Sequence, residues 1–263
     1  MAGEPRHPPR IALVMSAGGL RGAAHVGVLR RLRDAGVCLD ALVGVSAGAV
    51  VAAYYAAVGL GVDDLTGDAE SFRGRHLVSY SLDVHLGHRY ARLGDACGVI
   101  PARLRQLEAA TFDRLHHGVQ RLGIVCHDRR TSSACYFATG ADGGVCLNDA
   151  VLASASIPHL FPPVRVQAGG RRLELLDGGI TDAVPIAFAR SAAIGATHVI
   201  VSDSRWFGRV PGTEPSTVWI RPRMLDAGTL WSPRHGLVSV VRAGEAAVTD
   251  GVLARIREWT RSG

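Results

Sequence analysis

The stretch Ala41-Leu42-Val43-Gly44-Val45-Ser46-Ala47-Gly48-Ala49-Val50-Val51-Ala52-Ala53 decides how the rest of this sequence is read. Its first five residues are apolar and predict a buried strand, Ala41 to Val45. The small apolar residues from Ala47 to Val58 predict a helix able to pack closely. Between them, Gly44-Val45-Ser46-Ala47-Gly48 spells G-x-S-x-G at a strand-to-helix turn. A sharp turn there exposes a serine Oγ, and the flanking glycines let other backbone approach. Ser46 is therefore the candidate nucleophile, with Gly44, Ala47 and Gly48 forming its elbow. The uncharged run Leu42 to Val62 is long enough to span a bilayer. A strand and a helix, both buried, account for it without a transmembrane segment.

Upstream, Ile11 to Met15 predicts another buried strand, and Gly22 to Ala35 predicts a helix with Val26, Leu29 and Leu32 inward. Between them lies Ala17-Gly18-Gly19-Leu20-Arg21-Gly22. Consecutive glycines let several N–H groups point into one space, which suits an oxyanion or a phosphate. A dinucleotide site competes for this loop, with Asp40 about 20 residues on as its ribose-binding acid. Ala17 breaks the G-x-G-x-x-G pattern, however, and Asp40 precedes the second strand where such an acid should follow it. The oxyanion reading is the better one, and it assigns Gly18, Gly19, Leu20, Arg21 and Gly22 to the loop.

Downstream, predicted strands are Gly123 to Cys126, Cys135 to Ala138, Val164 to Val166, Arg172 to Leu176 and His198 to Val201. Helices are expected after Pro101, at Pro185 to Ala193, and as one closing helix from Gly236 to Trp259. Residues 63–121 are irregular and either cover a site or pack beside the sheet. Strands alternating with helices predict a mostly parallel sheet covered by helices. The whole is read as one domain over 11–263 after a loose Pro-rich leader, 1–10. Asp177-Gly178-Gly179 follows the strand Arg172 to Leu176. A serine needs a neighbouring base, and Asp177 is the candidate, with Gly178 and Gly179 relieving crowding. A Ser–acid–His triad would require His198, within an apolar strand pattern, or His235, in a turn. The early position of Ser46 also argues against that arrangement.

Composition narrows the rest. The chain has 263 residues, 48% of them hydrophobic, and a formal net charge of +6. No lysine is present, so the basic residues are all arginine. They are scattered along the chain and form no basic block with interleaved aromatics, so nucleic-acid binding is not expected. Contact with an anionic membrane surface is compatible with the charge. Five cysteines without a C-x-x-C spacing argue against a disulfide framework and fit a reducing cytoplasm. No metal or other cofactor is expected.

In this order and spacing the three motifs resemble the patatin-like phospholipases, in particular their compact bacterial members. The likeness runs over residues 11–203. It includes Ala153-Ser154-Ala155-Ser156-Ile157-Pro158 and Phe161-Pro162-Pro163-Val164, similar to the family segment before the catalytic Asp. The resemblance implies a three-layer α/β/α fold, a Ser46–Asp177 dyad and a glycine-rich oxyanion loop at Gly18–Arg21. It also implies hydrolysis of acyl esters of lipids. Transfer to another acceptor or cleavage of a carrier thioester would use the same groups. A non-catalytic phosphate-binding module is the alternative from another class. Three positions depart from the family pattern: Ala17 replaces a glycine, Ala183 stands where an Asn is common, and Cys126-His127-Asp128 replaces Ala-Thr-Asp.

Overall fold

The computed structural model describes residues 8–86, 96–208, 214–224, 227–231 and 236–261. The two apolar runs that opened the reading form β1 (Ile11–Met15) and β2 (Ala41–Val45), both wholly buried. Five strands run parallel: β3 (Arg121–Asp128), β2, β1, β7 (His198–Ser202) and β8 (Thr217–Ile220), in that spatial order. Beyond β3 the direction reverses. β4 (Ser133–Ala138) and β6 (Arg171–Asp177) both pair antiparallel with β3, and β5 (Val164–Ala168) pairs antiparallel with β6.

Alternate side chains of each parallel strand go to opposite faces. Ile11, Leu13 and Met15 join Leu42, Ile124 and Ile200 in the larger core. That core is covered by α1 (Ala24–Asp34), α2 (Ala47–Ala53), α3 (Val62–Ser71), α6 (Leu147–Ser154) and α8 (Val238–Ala247). Ala12, Val14, Val43, Val125 and Val201 point the other way, against Phe188 and Ala189 of α7 (Ile186–Arg190). The result is an α/β/α sandwich with one thick and one thin helical layer. The expected three-layer α/β fold is present.

Several elements differ from the sequence reading. The turn Gly19–Ala23 is 3-10, so α1 begins at Ala24 instead of Gly22. The helix α2 continues through a π-turn, Tyr54–Val58. The closing segment is two helices, α8 and α9 (Asp250–Arg261), because the backbone leaves the helical region at Val248 (ψ 79°). The Thr249 Oγ1 then accepts the Val252 N–H and opens the second helix. Residues 63–121 hold more helix than expected: α3, α4 (Gly74–His85) and α5 (Ile100–Glu108). The helix expected at 185–193 shortens to α7, and β8 was not anticipated. Of the expected leader, residues 1–7 lie outside the described residues. Arg10 donates its N–H to Thr197 Oγ1 at 2.9 Å. No helix among the described residues is long and apolar enough to cross a membrane. The uncharged run from Leu42 is β2, its turn, α2 and the π-turn.

Candidate active site

Ser46 occupies the one-residue turn between β2 and α2, with φ 55° and ψ −125°. A non-glycine residue there stores strain of about 1–3 kcal/mol, and neighbours must hold it. The Ser154 Oγ does so, accepting the Ser46 N–H at 2.9 Å and donating to Val125 O at 2.6 Å. Gly48 lets the start of α2 lie against β1, since a Cβ added there would sit 2.2 Å from Met15 O. Gly44 lies beside Met15 in the β1–β2 ladder, and Ala47 packs against Gly22.

Asp177 ends β6, opposite Cys126 of β3. Its N–H donates to Ser156 O at 3.0 Å, which ties it to the segment after α6. The carboxylate is nearly buried, at 7% exposure, and both oxygens are engaged. Oδ2 accepts the Ser46 hydroxyl at 2.6 Å, and Oδ1 accepts the Gly179 N–H at 2.8 Å. Burial raises its pKa above the ordinary aspartate value, and the two hydrogen bonds oppose that rise without cancelling it. Gly178 packs under Val125 O, where a Cβ would have no room.

The glycine loop lies beside Ser46. Gly19, Leu20, Gly22, Ser46 and Ala47 all line one cavity of about 380 Å³. Gly19 takes φ 57°, a left-handed conformation natural to glycine. The loop's amides are not equivalent. Leu20 N–H donates to Thr229 O at 3.0 Å, and Arg21 N–H donates to Gly18 O at 3.3 Å. Among the described residues, the Gly18 and Gly19 N–H groups have no protein acceptor. The Arg21 side chain is buried and turned away from Ser46. Nε donates to Ser204 O, and Nη1 donates to Met224 O and Ala227 O, at 2.9–3.1 Å. It braces the loop from beneath.

His25 completes that bracing. Its Nδ1 lies 2.7 Å from Ser202 Oγ and its Nε2 3.0 Å from Ser16 O, which joins α1 to the ends of β1 and β7. Full burial lowers its pKa to about 4, so the ring is neutral at pH 7. Of the departures noted in the sequence, Ala17 has ordinary negative φ and hydrogen-bonds through its N–H to Ala183 O at 3.1 Å. At this point two departing positions meet, backbone to backbone. His127 and Asp128 are buried on β3, and Asp128 caps the turn to β4 by accepting from Arg130 N and Thr131 Oγ1.

The competing readings find their residues elsewhere. His198 starts β7 and rests against the Trp259 ring at 4.8 Å. The cavity-side end of that strand lies four residues on, about 13 Å away. His235 lies outside the described residues. Asp40 sits at the start of β2, where its Oδ2 accepts the Ile11 N–H at 2.7 Å. This is the opposite end of the strands from the glycine loop. Among the described residues no group of three or more His, Cys, Asp and Glu is placed to hold a metal. Ser154 was visible in the sequence only as part of a family-like segment, and nothing in its local pattern marks the bond to Ser46.

The remaining cavity wall is mostly apolar, from Val50 and Val51 of α2 to Leu77 of α4, Leu104 of α5 and Ile157 and Phe161 after α6, with Asp68 and Arg103 among its polar members. Residues 63–121 thus contribute α3, α4 and α5 as walls of the cavity.

Comparison with known proteins agrees with this architecture. An uncharacterised NTE family protein of Mycobacterium tuberculosis is 35% identical over 186 residues, covering 66% of this chain and 27% of its own. Another from the same organism is 32% identical over 229 residues, covering 85% and 58%. The chain therefore spans about a quarter to just over half the length of these relatives. VipD from Legionella pneumophila shares the fold, with a TM-score of 0.54 at 13% identity over 97% of this chain and 67% of that one. The family model for patatin-like phospholipase matches residues 13–190, and the chain belongs to that family.

Proposed function

We propose that this protein hydrolyses acyl esters of lipids, with Ser46 as nucleophile and Asp177 as its base. The observation that carries the proposal is the 2.6 Å hydrogen bond from Ser46 Oγ to Asp177 Oδ2 beside an apolar cavity. Asp177 takes the hydroxyl proton as Oγ adds to the ester carbonyl carbon. The carbonyl oxygen, now negative, is received by the Gly18 and Gly19 N–H groups. This is a narrower set than Gly18 to Arg21, because the Leu20 and Arg21 amides are already committed. Each such donor is worth about 3–4 kcal/mol in the transition state. Collapse expels the alcohol, which takes its proton from Asp177, and leaves an acyl ester on Ser46. Water then attacks that ester, with Asp177 again removing a proton. The acid leaves, and Ser46 recovers its hydrogen.

The raised pKa of Asp177 supports its role, because a more basic carboxylate is a better proton acceptor near neutral pH. Lysophospholipids are the first substrates to test. Lysophospholipase NTE1 of Coccidioides immitis is 28% identical over 204 residues, covering 73% of this chain and 11% of its own. On the same reading the protein works at an anionic lipid surface. Its net charge is +6, and Trp206, Phe207, Leu230 and Trp231 stand exposed near the glycine loop. Two contacts place them there: Thr229 O caps the Leu20 N–H, and Arg21 lies 4.4 Å from the Trp206 ring centre.

The deciding experiment is intact-mass labelling with a fluorophosphonate. One adduct on the native chain, none on Ser46→Ala and much slower labelling of Asp177→Asn is the expected result. A well-folded native chain that takes up no label refutes the proposal.

A further inference from the structure

Cys126 is one of the positions at which this sequence departs from the family pattern, and the proposed chemistry makes no use of it. It stands on β3 between two strands that run against it. Its partner on one side is Asp177 of β6, and on the other Cys135 of β4. Side chains of paired residues point to the same face, so Asp177, Cys126 and Cys135 form one row across the sheet. Both Asp177 and Cys135 act electrostatically on the Cys126 thiol. The Cys126 Sγ donates to Ala150 O at 3.3 Å, on α6 one turn before Ser154.

Neither cysteine is in a disulfide. Residues directly opposite in an antiparallel pair have Cβ atoms about 4.5–5.5 Å apart, whereas a disulfide needs about 3.5–4.5 Å. An approach of about 1 Å between β3 and β4 is therefore enough to join the two sulfurs. Cys126 is fully buried and Cys135 half-buried, so a small oxidant in solvent reaches Cys135 first.

We infer that Cys126 and Cys135 are a redox-modification site, joined by a peroxide into a cross-strand disulfide that slows Ser46 by disturbing Asp177 and α6. In the first step the Cys135 sulfur attacks one peroxide oxygen. The O–O bond breaks, the thiol proton goes to the departing oxygen, and a sulfenic acid remains on Cys135. The Cys126 sulfur then displaces that hydroxyl, which leaves as water with the Cys126 thiol proton. The two thiols have lost two electrons, and the peroxide has gained them. Burial pushes both thiols above the ordinary cysteine range, so the first step is slow. The second is fast, because the partner sulfur is already held across the ladder. In the disulfide the Cys126 sulfur has left Ala150 O for β4, and β3 is drawn out of line beside Asp177. The inference rests on the acyl-hydrolase reading only for the effect on Ser46.

The test uses protein carrying Cys38→Ser and Cys146→Ser, which removes the two exposed thiols. After prolonged treatment with hydrogen peroxide the intact mass should include a form about 2 Da lighter. Trypsin should then release residues 122–129 joined to residues 131–165. Fluorophosphonate labelling of this form should slow about tenfold or more and recover with dithiothreitol. Adding Cys135→Ser should leave labelling of the untreated protein unchanged and remove the reversible loss. The inference is overturned if Cys126 and Cys135 stay unlinked, if either pairs with Cys97 instead, or if the linked protein labels as fast as the reduced one. A native chain that takes no fluorophosphonate yet forms the linkage removes the hydrolase reading and leaves the modification site standing.

Discussion

The Ser154 hydroxyl accepts the Ser46 N–H at 2.9 Å, so a residue 108 positions away holds the strained turn of the proposed nucleophile. The same hydroxyl donates to Val125 O, which anchors the turn to the central strand β3. Ser154→Ala leaves a buried N–H and a buried carbonyl unpaired. We expect a loss of about 1–3 kcal/mol in stability and, through a misplaced Oγ, a fall of about tenfold or more in kcat. Urea unfolding and steady-state kinetics on a short-chain ester check both. An unchanged kcat would show that the elbow holds itself.

Asp177 should set the acid limb of the pH profile. Its carboxyl is raised above the ordinary 3.8 by burial. The base must be ionised, so kcat/KM is expected to fall on acidification through a pKa above that value. Asp177→Asn should slow fluorophosphonate labelling by about 10²–10⁴-fold and remove this limb. Labelling at the native rate would assign the base elsewhere.

His25 makes a prediction about stability. Its pKa is near 6.5 in the unfolded chain and about 4 in the folded one. The unfolded chain therefore binds the extra proton first as pH falls. Its contribution, about 3 kcal/mol, is complete above pH 6.5, declines between pH 6.5 and 4, and is gone below that. The slope of stability against pH in this window should flatten in His25→Gln. The same slope in both proteins would mean that other groups govern it.

Arg21→Met removes the donors to Ser204 O, Met224 O and Ala227 O. Leaving these carbonyls unpaired should cost about 2–4 kcal/mol in stability. Because the guanidinium supports the glycine loop and does not line the cavity, kcat should fall further than KM rises. A change confined to KM would instead place Arg21 in substrate binding.

Phe207 is 81% exposed, close to the glycine loop. Phe207→Asp should weaken sedimentation with vesicles containing phosphatidylserine and leave hydrolysis of a soluble short-chain ester unaltered. Undiminished vesicle binding would remove this loop from the lipid-facing surface.

Much of the architecture could be read from the sequence, because buried parallel strands announce themselves as short apolar runs. The Ile11–Met15 and Ala41–Val45 runs have the same bounds in the structure. The helix α4 was missed for a physical reason. Leu77, Tyr80 and Val84 face the cavity, while Val78, Leu82 and Leu86 are exposed on the other side. With apolar residues on both faces, it lacks the single stripe by which a surface helix is recognised. The break between α8 and α9 was legible in principle, since Thr249-Asp250 is a capping signal inside an otherwise helical run. The Ser46–Asp177 pairing was expected from motif order, and the structure brings the two side chains into hydrogen-bond contact. The competition for the Leu20 and Arg21 amides was not legible. For Leu20 it depends on Thr229 O, which arrives from more than two hundred residues downstream, and for Arg21 on the fold of the loop back onto Gly18 O.

Both proposed reacting residues are indexed to β3. Val45, just before Ser46, is level with Val125, and Asp177 is level with Cys126. Among the described residues no strand of the sheet lies between β2 and β3 in the chain, so the helices α3, α4 and α5 are added to this frame from outside. Insertions or replacements in that excursion reshape the cavity without shifting the register that joins serine to aspartate. What the cavity accepts can therefore change while the proposed reacting pair keeps its place.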